Sequence, residues 1–140
     1  MPVTFDTETI RLITLFENLT HTNVKDCLID NDNNTVYLII DEGEIGKAIG
    51  KNGASVRNTE NMIKKDIRIF EFSNDIERFV KNLIPQVNSL KFKQDDGNNS
   101  VEIWLDKKDK AVVIGREGRN LKIFKELLQR NHDISDVVVR

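Results

Sequence analysis

Apolar side chains recur at helical spacing in two stretches, one near the start of the chain and one just past its middle. The first stretch consists of Ile10, Ile13, Phe16 and Leu19, with Leu12 and Leu15 beside them. The second consists of Ile76, Phe79, Val80, Leu83, Ile84 and Val87. Such a stripe predicts an amphipathic α-helix, over residues 7–20 in the first stretch. Pro85 lies inside the second stripe. Because proline lacks an N–H and crowds the preceding turn, we expect that helix to end early.

Each predicted helix is followed by two short apolar segments that are separated by Asp, Asn and Gly residues, a composition typical of hairpin turns. The predicted strands are residues 24–29 and 35–40 in the first half, and 90–93 and 101–105 in the second. A short helix, a Gly-x-x-Gly segment and a longer helix come next, the longer helices spanning residues 54–65 and 119–131. A last strand, residues 67–72 or 137–139, closes each half. The pattern predicts an α+β fold with a three-stranded sheet packed by three helices, formed twice.

The two halves align with each other when the sequence is shifted by 65 positions. Residues 36–41 (VYLIID) then match residues 101–106 (VEIWLD), and residues 49–53 (IGKNG) match residues 114–118 (IGREG). This internal repeat indicates a duplicated unit. We therefore predict two domains, residues 1–73 and 74–140, with only Ser-Asn-Asp at positions 73–75 between them.

Charge is distributed unevenly, although the net charge is only −2. Residues 43–65 contain five basic and two acidic side chains, and residues 107–125 contain seven basic and two acidic ones. These 42 residues carry a net charge of +8, and the other 98 carry −10. Chance clustering on solvated helices could produce one such window. Two windows at matched positions favour surfaces that meet a polyanion.

Each basic window contains a Gly-x-x-Gly segment between two predicted helices. The first glycine permits an abrupt helix end, and the second leaves the start of the next helix without a covering side chain. We expect the main-chain amides of residues 50–53 and 115–118 to be free to bind phosphate oxygens, as they are at helix N-termini. Lys51 and Arg116 between the glycines would point outward. Two glycines three positions apart are weak evidence for such a loop when they occur once. Here the segment occurs in both halves, within the same order of helices and strands, and the evidence is therefore strong.

The sequence gives little support for a nucleotide-hydrolysing, metal-binding or catalytic site. Residues 46–51 resemble a Walker A loop, but only three residues separate the glycines and Asn52 stands where Ser or Thr is required. Cys27 and Trp104 are predicted core residues, and the acidic side chains at positions 41, 42 and 44 are predicted to cap a helix. We expect no catalytic group, no metal and no cofactor.

The remaining sequence features bear on localisation. A single cysteine allows no intramolecular disulfide, no apolar run is long enough to cross a membrane, and the first residues lack a signal-peptide pattern. These features predict a cytoplasmic protein.

The Ile-Gly-x-x-Gly segments in this frame resemble the signature of KH domains, in the type II arrangement. This resemblance implies that each copy holds about four nucleotides of single-stranded RNA, with the loop clamping the backbone and a groove receiving the bases. The matching residues of the first copy are Lys47, Ile49, Gly50, Lys51, Asn52, Gly53, Val56 and Arg57. Those of the second are Lys110, Ile114, Gly115, Arg116, Glu117, Gly118, Arg119, Leu121 and Lys122. Because Glu117 repels phosphate, we expect the first loop to clamp more firmly.

Two tandem type II KH units that fill the chain are similar to the archaeal form of the NusA transcription factor family. Residues 24–27 (VKDC), 46–51 (GKAIGK) and 136–140 (DVVVR) share in this resemblance. It implies contact with RNA polymerase and a role in transcription termination or antitermination. Bacterial members carry further domains before the KH pair, for which 140 residues leave no room. A KH-domain adaptor in ribosome assembly or RNA processing is the alternative hypothesis.

Overall fold

The same order of elements occurs twice in the computed structural model, which describes residues 6–140. The first set consists of α1 Thr7–Thr20, β1 Val24–Asp30, β2 Thr35–Ile40, α2 Ile45–Ile49, a 3₁₀ turn Lys51–Gly53, α3 Ala54–Ile63 and β3 Asp66–Glu71. The second consists of α4 Ile76–Leu83, β4 Ser89–Asp95, β5 Asn98–Trp104, α5 Lys107–Ile114, a 3₁₀ turn Arg116–Gly118, α6 Arg119–His132 and β6 Asp136–Val139. The predicted α+β fold with two three-stranded sheets is confirmed.

The chain divides into two compact units between Asn74 and Asp75. This division lies one residue from the predicted boundary, and the assignment of residues 1–73 and 74–140 as independent domains stays a prediction. Residues 1–5, on which the signal-peptide expectation depends, lie outside the described part of the chain.

Each unit contains one mixed sheet, with strand order β1-β2-β3 or β4-β5-β6. The first two strands are antiparallel, as in the pairing of Cys27 with Leu38, whereas the last two are parallel, as in the pairing of Leu38 with Ile69. The second sheet repeats both relationships. A parallel pair needs a crossover connection, and here the two helices with the Gly-x-x-Gly segment between them form it. The segment is therefore held by two helices that are both anchored on strands.

The core of the first unit lies between its helices and one face of β2. Phe16 of α1 packs against Val36, Leu38 and Ile40, which alternate along β2 as the two-residue period of a strand requires. Cys27 is buried in the same cluster, as predicted.

Two sequence predictions about the second unit have opposite outcomes. The helix over the second apolar stripe ends at Leu83, before Pro85, as expected. The prediction that Trp104 is a core residue was wrong, because its side chain is 37% exposed. Ile103 and Leu105 are buried, so alternation along the strand directs Trp104 to the opposite face of the sheet.

The prediction that acidic residues cap the short helix α2 is confirmed for their position but not for hydrogen bonding, and the equivalent α5 behaves in the same way. Glu44 and Asp106 occupy the N-cap positions of α2 and α5, but neither side chain makes a capping hydrogen bond. Glu44 instead accepts a hydrogen bond from the amide of Asn23 at 2.7 Å. Asp106 accepts one from Nδ2 of Asn88 at 2.9 Å. Each carboxylate therefore fastens the start of its helix to the residue before the first strand of its unit, β1 or β4.

Candidate nucleic-acid interface

Both Gly-x-x-Gly segments interrupt their helices with the same backbone conformation. In each, three of the four residues have positive φ, and the angles of equivalent residues agree within 3°. The φ/ψ values are 78/175 for Gly50 and 76/174 for Gly115, 55/29 for Asn52 and 57/26 for Glu117, and 75/14 for Gly53 and 74/15 for Gly118. The chain thus builds one loop twice, although the residues between the glycines differ.

The first glycine of each loop is required by the fold. A Cβ atom on Gly50 would lie 2.3 Å from Oγ of Ser55, and one on Gly115 would lie 2.8 Å from Nδ2 of Asn120. Asn120 also donates a hydrogen bond from Nδ2 to the carbonyl of Val112 at 3.0 Å, which ties the start of α6 to α5. The sequence interpretation missed Ser55 and Asn120. The signal that could have identified them is a small polar residue five positions after the first glycine in both copies.

The second glycine of each loop faces open space. A Cβ atom on Gly118 would meet nothing within 4 Å, and one on Gly53 would meet only Nη1 of Arg57 at 3.4 Å. Local packing therefore does not explain the absence of a side chain at these positions. The positive φ favours glycine, and the open face lets another molecule approach the backbone closely.

Only half of the loop amides are available to a ligand, which corrects the sequence expectation. The amides of Gly50 and Gly53 donate to the carbonyls of Gly46 and Gly50 at 3.0 and 3.2 Å, and their counterparts in the second loop do the same. Within residues 6–140 no hydrogen bond engages the amides of the two residues between the glycines. These residues are Lys51 and Asn52 in the first loop, and Arg116 and Glu117 in the second. The donors that remain lie at the tip of each loop.

The predicted site residues divide into exposed side chains and half-buried ones. The exposed ones are Lys47, Ile49, Lys51, Asn52, Arg57, Arg116, Glu117 and Lys122. The half-buried ones are Val56, Lys110, Ile114, Arg119 and Leu121, together with all four glycines. Val56 also packs against the core of the first unit. The cations around both loop tips therefore reach solvent next to the available amides.

Acidic side chains within the first basic window are used by the fold. Glu60 accepts a hydrogen bond from the amide of Ile67 at 2.8 Å, and Glu44 is held by Asn23. These contacts hold the two carboxylates at the main chain but leave their charges in place. The first window still carries five basic side chains against two acidic ones, so the charge around the first loop is positive. The second loop differs, because Glu117 is exposed at its tip.

The described residues offer few other kinds of site. None of the helices within residues 6–140 combines the length and the apolar character that a membrane span needs. Across the same residues, no three His, Cys, Asp or Glu side chains are grouped so that they could hold a metal ion.

Comparison with known proteins gives consistent similarities. Residues 11–89 match the KH domain family. A protein named probable transcription termination protein NusA from Halococcus morrhuae is 32% identical over 138 residues, which cover 98% of each chain. A protein of the same name from Methanocaldococcus jannaschii is 30% identical over 139 residues, covering 98% of this chain and 75% of that one. The crystal structure of APE1850 is similar with a TM-score of 0.81 and 33% identity, covering 97% of this chain and 100% of that one.

Proposed function

The chain belongs to the KH-domain family and, over almost its whole length, to the NusA proteins, and on this premise we propose that it is a non-catalytic, single-stranded RNA-binding factor of transcription. Each unit is a type II KH domain that holds the RNA backbone with its Gly-x-x-Gly loop. The factor acts in termination or antitermination and contacts RNA polymerase in the cytoplasm. The names of the relatives support this role.

The observation that carries the RNA proposal is the repeated loop tip. Two neighbouring amides without an internal partner lie beside a glycine whose outer face is open, and this occurs in both units. Amides of this kind suit phosphate oxygens, because they donate hydrogen bonds without adding bulk. Lys51 or Arg116 supplies a charge at the same point, and Ile49 is 41% exposed beside the first loop, where it can contact a base.

Covalent linkage of the units strengthens binding to long RNA. Once one loop has engaged a strand, the other meets it at an effective concentration on the order of millimolar. We therefore expect a strand long enough for both loops to bind much more tightly than a strand of about four nucleotides, the length that one KH domain holds.

The test is a charge reversal at the first loop tip, Lys51→Asp with Asn52→Asp. Asp tolerates the left-handed conformation of position 52, so the fold should persist. The affinity for a fluorescent single-stranded RNA, measured by anisotropy, should fall at least about tenfold, since several phosphate contacts are lost or repelled. The equivalent substitution at the second loop, Arg116→Asp with Glu117→Asp, changes the charge by one unit less and should have a smaller effect, because that tip already carries an acidic residue.

A matched control separates the loop from net charge. Asn74→Asp with Arg78→Asp changes the charge by the same amount at two exposed positions outside the loops. This control should retain most of the affinity. If the folded Lys51→Asp, Asn52→Asp variant bound RNA as well as the control, the loop would not be the RNA site.

The role in transcription has a separate test. The tagged full chain should recover RNA polymerase from cells of its source after nuclease treatment. Recovery of ribosomal particles or nucleases in place of polymerase would favour the adaptor hypothesis instead.

A further inference from the structure

The two units differ in the helix that precedes the first hairpin. α1 has 14 residues and α4 has eight, while both end four to six positions before the next strand. α4 therefore lacks about six residues, or roughly 9 Å of helix, at its N-terminal end. The part of the sheet beside the hairpin turn has less helical cover in the second unit than in the first.

The strand register locates a residue that is left uncovered. Ile29 pairs with Val36 in the first sheet, and Phe92 pairs with the equivalent Val101 in the second. Ile29 packs against the first core, whereas Phe92 is 40% exposed. A large aromatic side chain thus occupies the position at which the first unit has a half-buried aliphatic one.

A groove lies at this place, with a volume of about 490 Å³. We call it the α4 groove and define it by Ile76, Phe92, Gln94, Asn99 and Ile134, which line it. Three of these side chains are apolar, and they come from α4, β4 and the segment before β6. The volume lies within the range of clefts that bind ligands, roughly 300–1,000 Å³.

Acidic residues flank the α4 groove along the chain. Asp75 and Glu77 adjoin Ile76, Asp95 and Asp96 follow Gln94, and Asp133 precedes Ile134. All five are exposed. Lys81 lies close to one of them, with 3.2 Å between its Nζ and an Oε of Glu77. Lys93 also lines the groove, but its ammonium group pairs with Glu102. Arg78 and Lys91 are the other exposed cations within two positions of a lining residue, so acidic side chains predominate at the chain positions next to the groove. This excess favours a cationic ligand over RNA.

We propose that the α4 groove docks a basic, amphipathic segment of a partner protein. Its apolar side chains pack on Phe92 and its lysine or arginine side chains face the acidic rim, as in other complexes of helices with grooves. This surface is distinct from the loops that hold RNA, so the protein can bind both ligands at once.

The experiment uses the full ¹⁵N-labelled chain and a synthetic 14-residue helical peptide of leucine and lysine. A second peptide with glutamate in place of lysine is the matched probe. The lysine peptide should shift the amide signals of Ile76, Phe92 and Ile134, and the glutamate peptide should not. Phe92→Ser should weaken binding of the lysine peptide at least about tenfold, since anchors in apolar pockets dominate such contacts. RNA affinity should stay unchanged in this variant.

Two further variants complete the test. Asp95→Asn with Asp96→Asn keeps turn-forming residues and should weaken the lysine peptide by about three- to tenfold through lost charge attraction. It also serves if Phe92→Ser fails to fold. Met62→Ser is the control, because it removes a side chain that is 59% exposed in the first unit and does not line the α4 groove. It should leave the affinity for the lysine peptide unchanged. Unchanged peptide affinity in the groove variants, or shifts confined to other surfaces, would overturn the proposal. It would also fail if single-stranded RNA, added alone, shifted the groove signals.

Discussion

Replacing Gly50 with alanine tests the loop conformation at its most constrained point. The φ/ψ of 78/175 at this residue lies in a region that is essentially restricted to glycine. Holding alanine there costs about 1–3 kcal/mol. The new methyl group would also overlap Ser55, with three of its atoms within 2.9 Å. Overpacking of this kind costs about another 1–3 kcal/mol.

Together these penalties predict that Gly50→Ala lowers the free energy of unfolding of the first unit by about 2–6 kcal/mol. Small domains are stable by about 5–15 kcal/mol, so the variant should be folded but weakened, or unfolded in the worst case. A urea titration followed by circular dichroism measures the change. With an m-value of about 1–3 kcal/mol/M, a loss of 3 kcal/mol moves the midpoint down by roughly 1–3 M.

Gly46→Ala is the matched control, because it adds the same methyl group four residues earlier. Gly46 lies within α2, has no atom within 4 Å of the added Cβ, and does not have positive φ. Alanine should therefore stabilise the unit, by about 0.5–1 kcal/mol. A lower free energy of unfolding for Gly50→Ala together with a higher one for Gly46→Ala would support the loop geometry. An equal or stabilising effect of Gly50→Ala would show that Gly50 does not have the described conformation.

Three further predictions concern the second unit. Glu117→Asn removes the acidic side chain at the second loop tip, so it should raise the RNA affinity of a chain that already carries Lys51→Asp with Asn52→Asp. It should also stabilise the unit by up to about 1 kcal/mol, because asparagine tolerates positive φ better than glutamate. A lower RNA affinity, measured by anisotropy, would contradict the first expectation. Asn120→Ala should destabilise the unit by about 1 kcal/mol in urea through loss of its hydrogen bond across the loop, and no change would show that this bond is dispensable. Hydrogen bonds from Lys93 and Arg140 hold the pKa of Glu102 below its ordinary value of 4.5. Their stabilisation is therefore complete above pH 4.5 and is lost as the pH falls through the lowered pKa. Glu102→Gln should reduce this acid dependence of unfolding, and an unaltered pH profile would exclude the pair as its source.

Much of the fold could be predicted from the sequence, because the chain contains a repeat. A helix or strand predicted in one half could be compared with the equivalent segment of the other half. The helix stripes, the hairpins and the position of both loops follow from periodicity and from the two glycines. Trp104 was misplaced because size and apolarity suggested burial. Strict alternation with Ile103 and Leu105 would have placed it on the other face.

The sequence could not reveal which loop amides are available. That depends on φ/ψ angles and on short internal hydrogen bonds, such as the one between the amide of Gly53 and the carbonyl of Gly50. The α4 groove was also hidden, although the Asp75 cap and the apolar stripe from Ile76 mark the start of α4, because a helix stripe alone does not show which strand residues it leaves uncovered. Only the comparison of strand registers identifies Phe92 as the counterpart of Ile29.

The agreement between the two loops in φ and ψ has a practical meaning for engineering. The backbone accepts Lys51 with Asn52 in one unit and Arg116 with Glu117 in the other. These two positions therefore form a dipeptide cassette that can be exchanged between units without redesigning the helices on either side. Swapping the cassettes would move one unit of positive charge from the first loop to the second, and so reverse which half of the chain holds a polyanion more firmly.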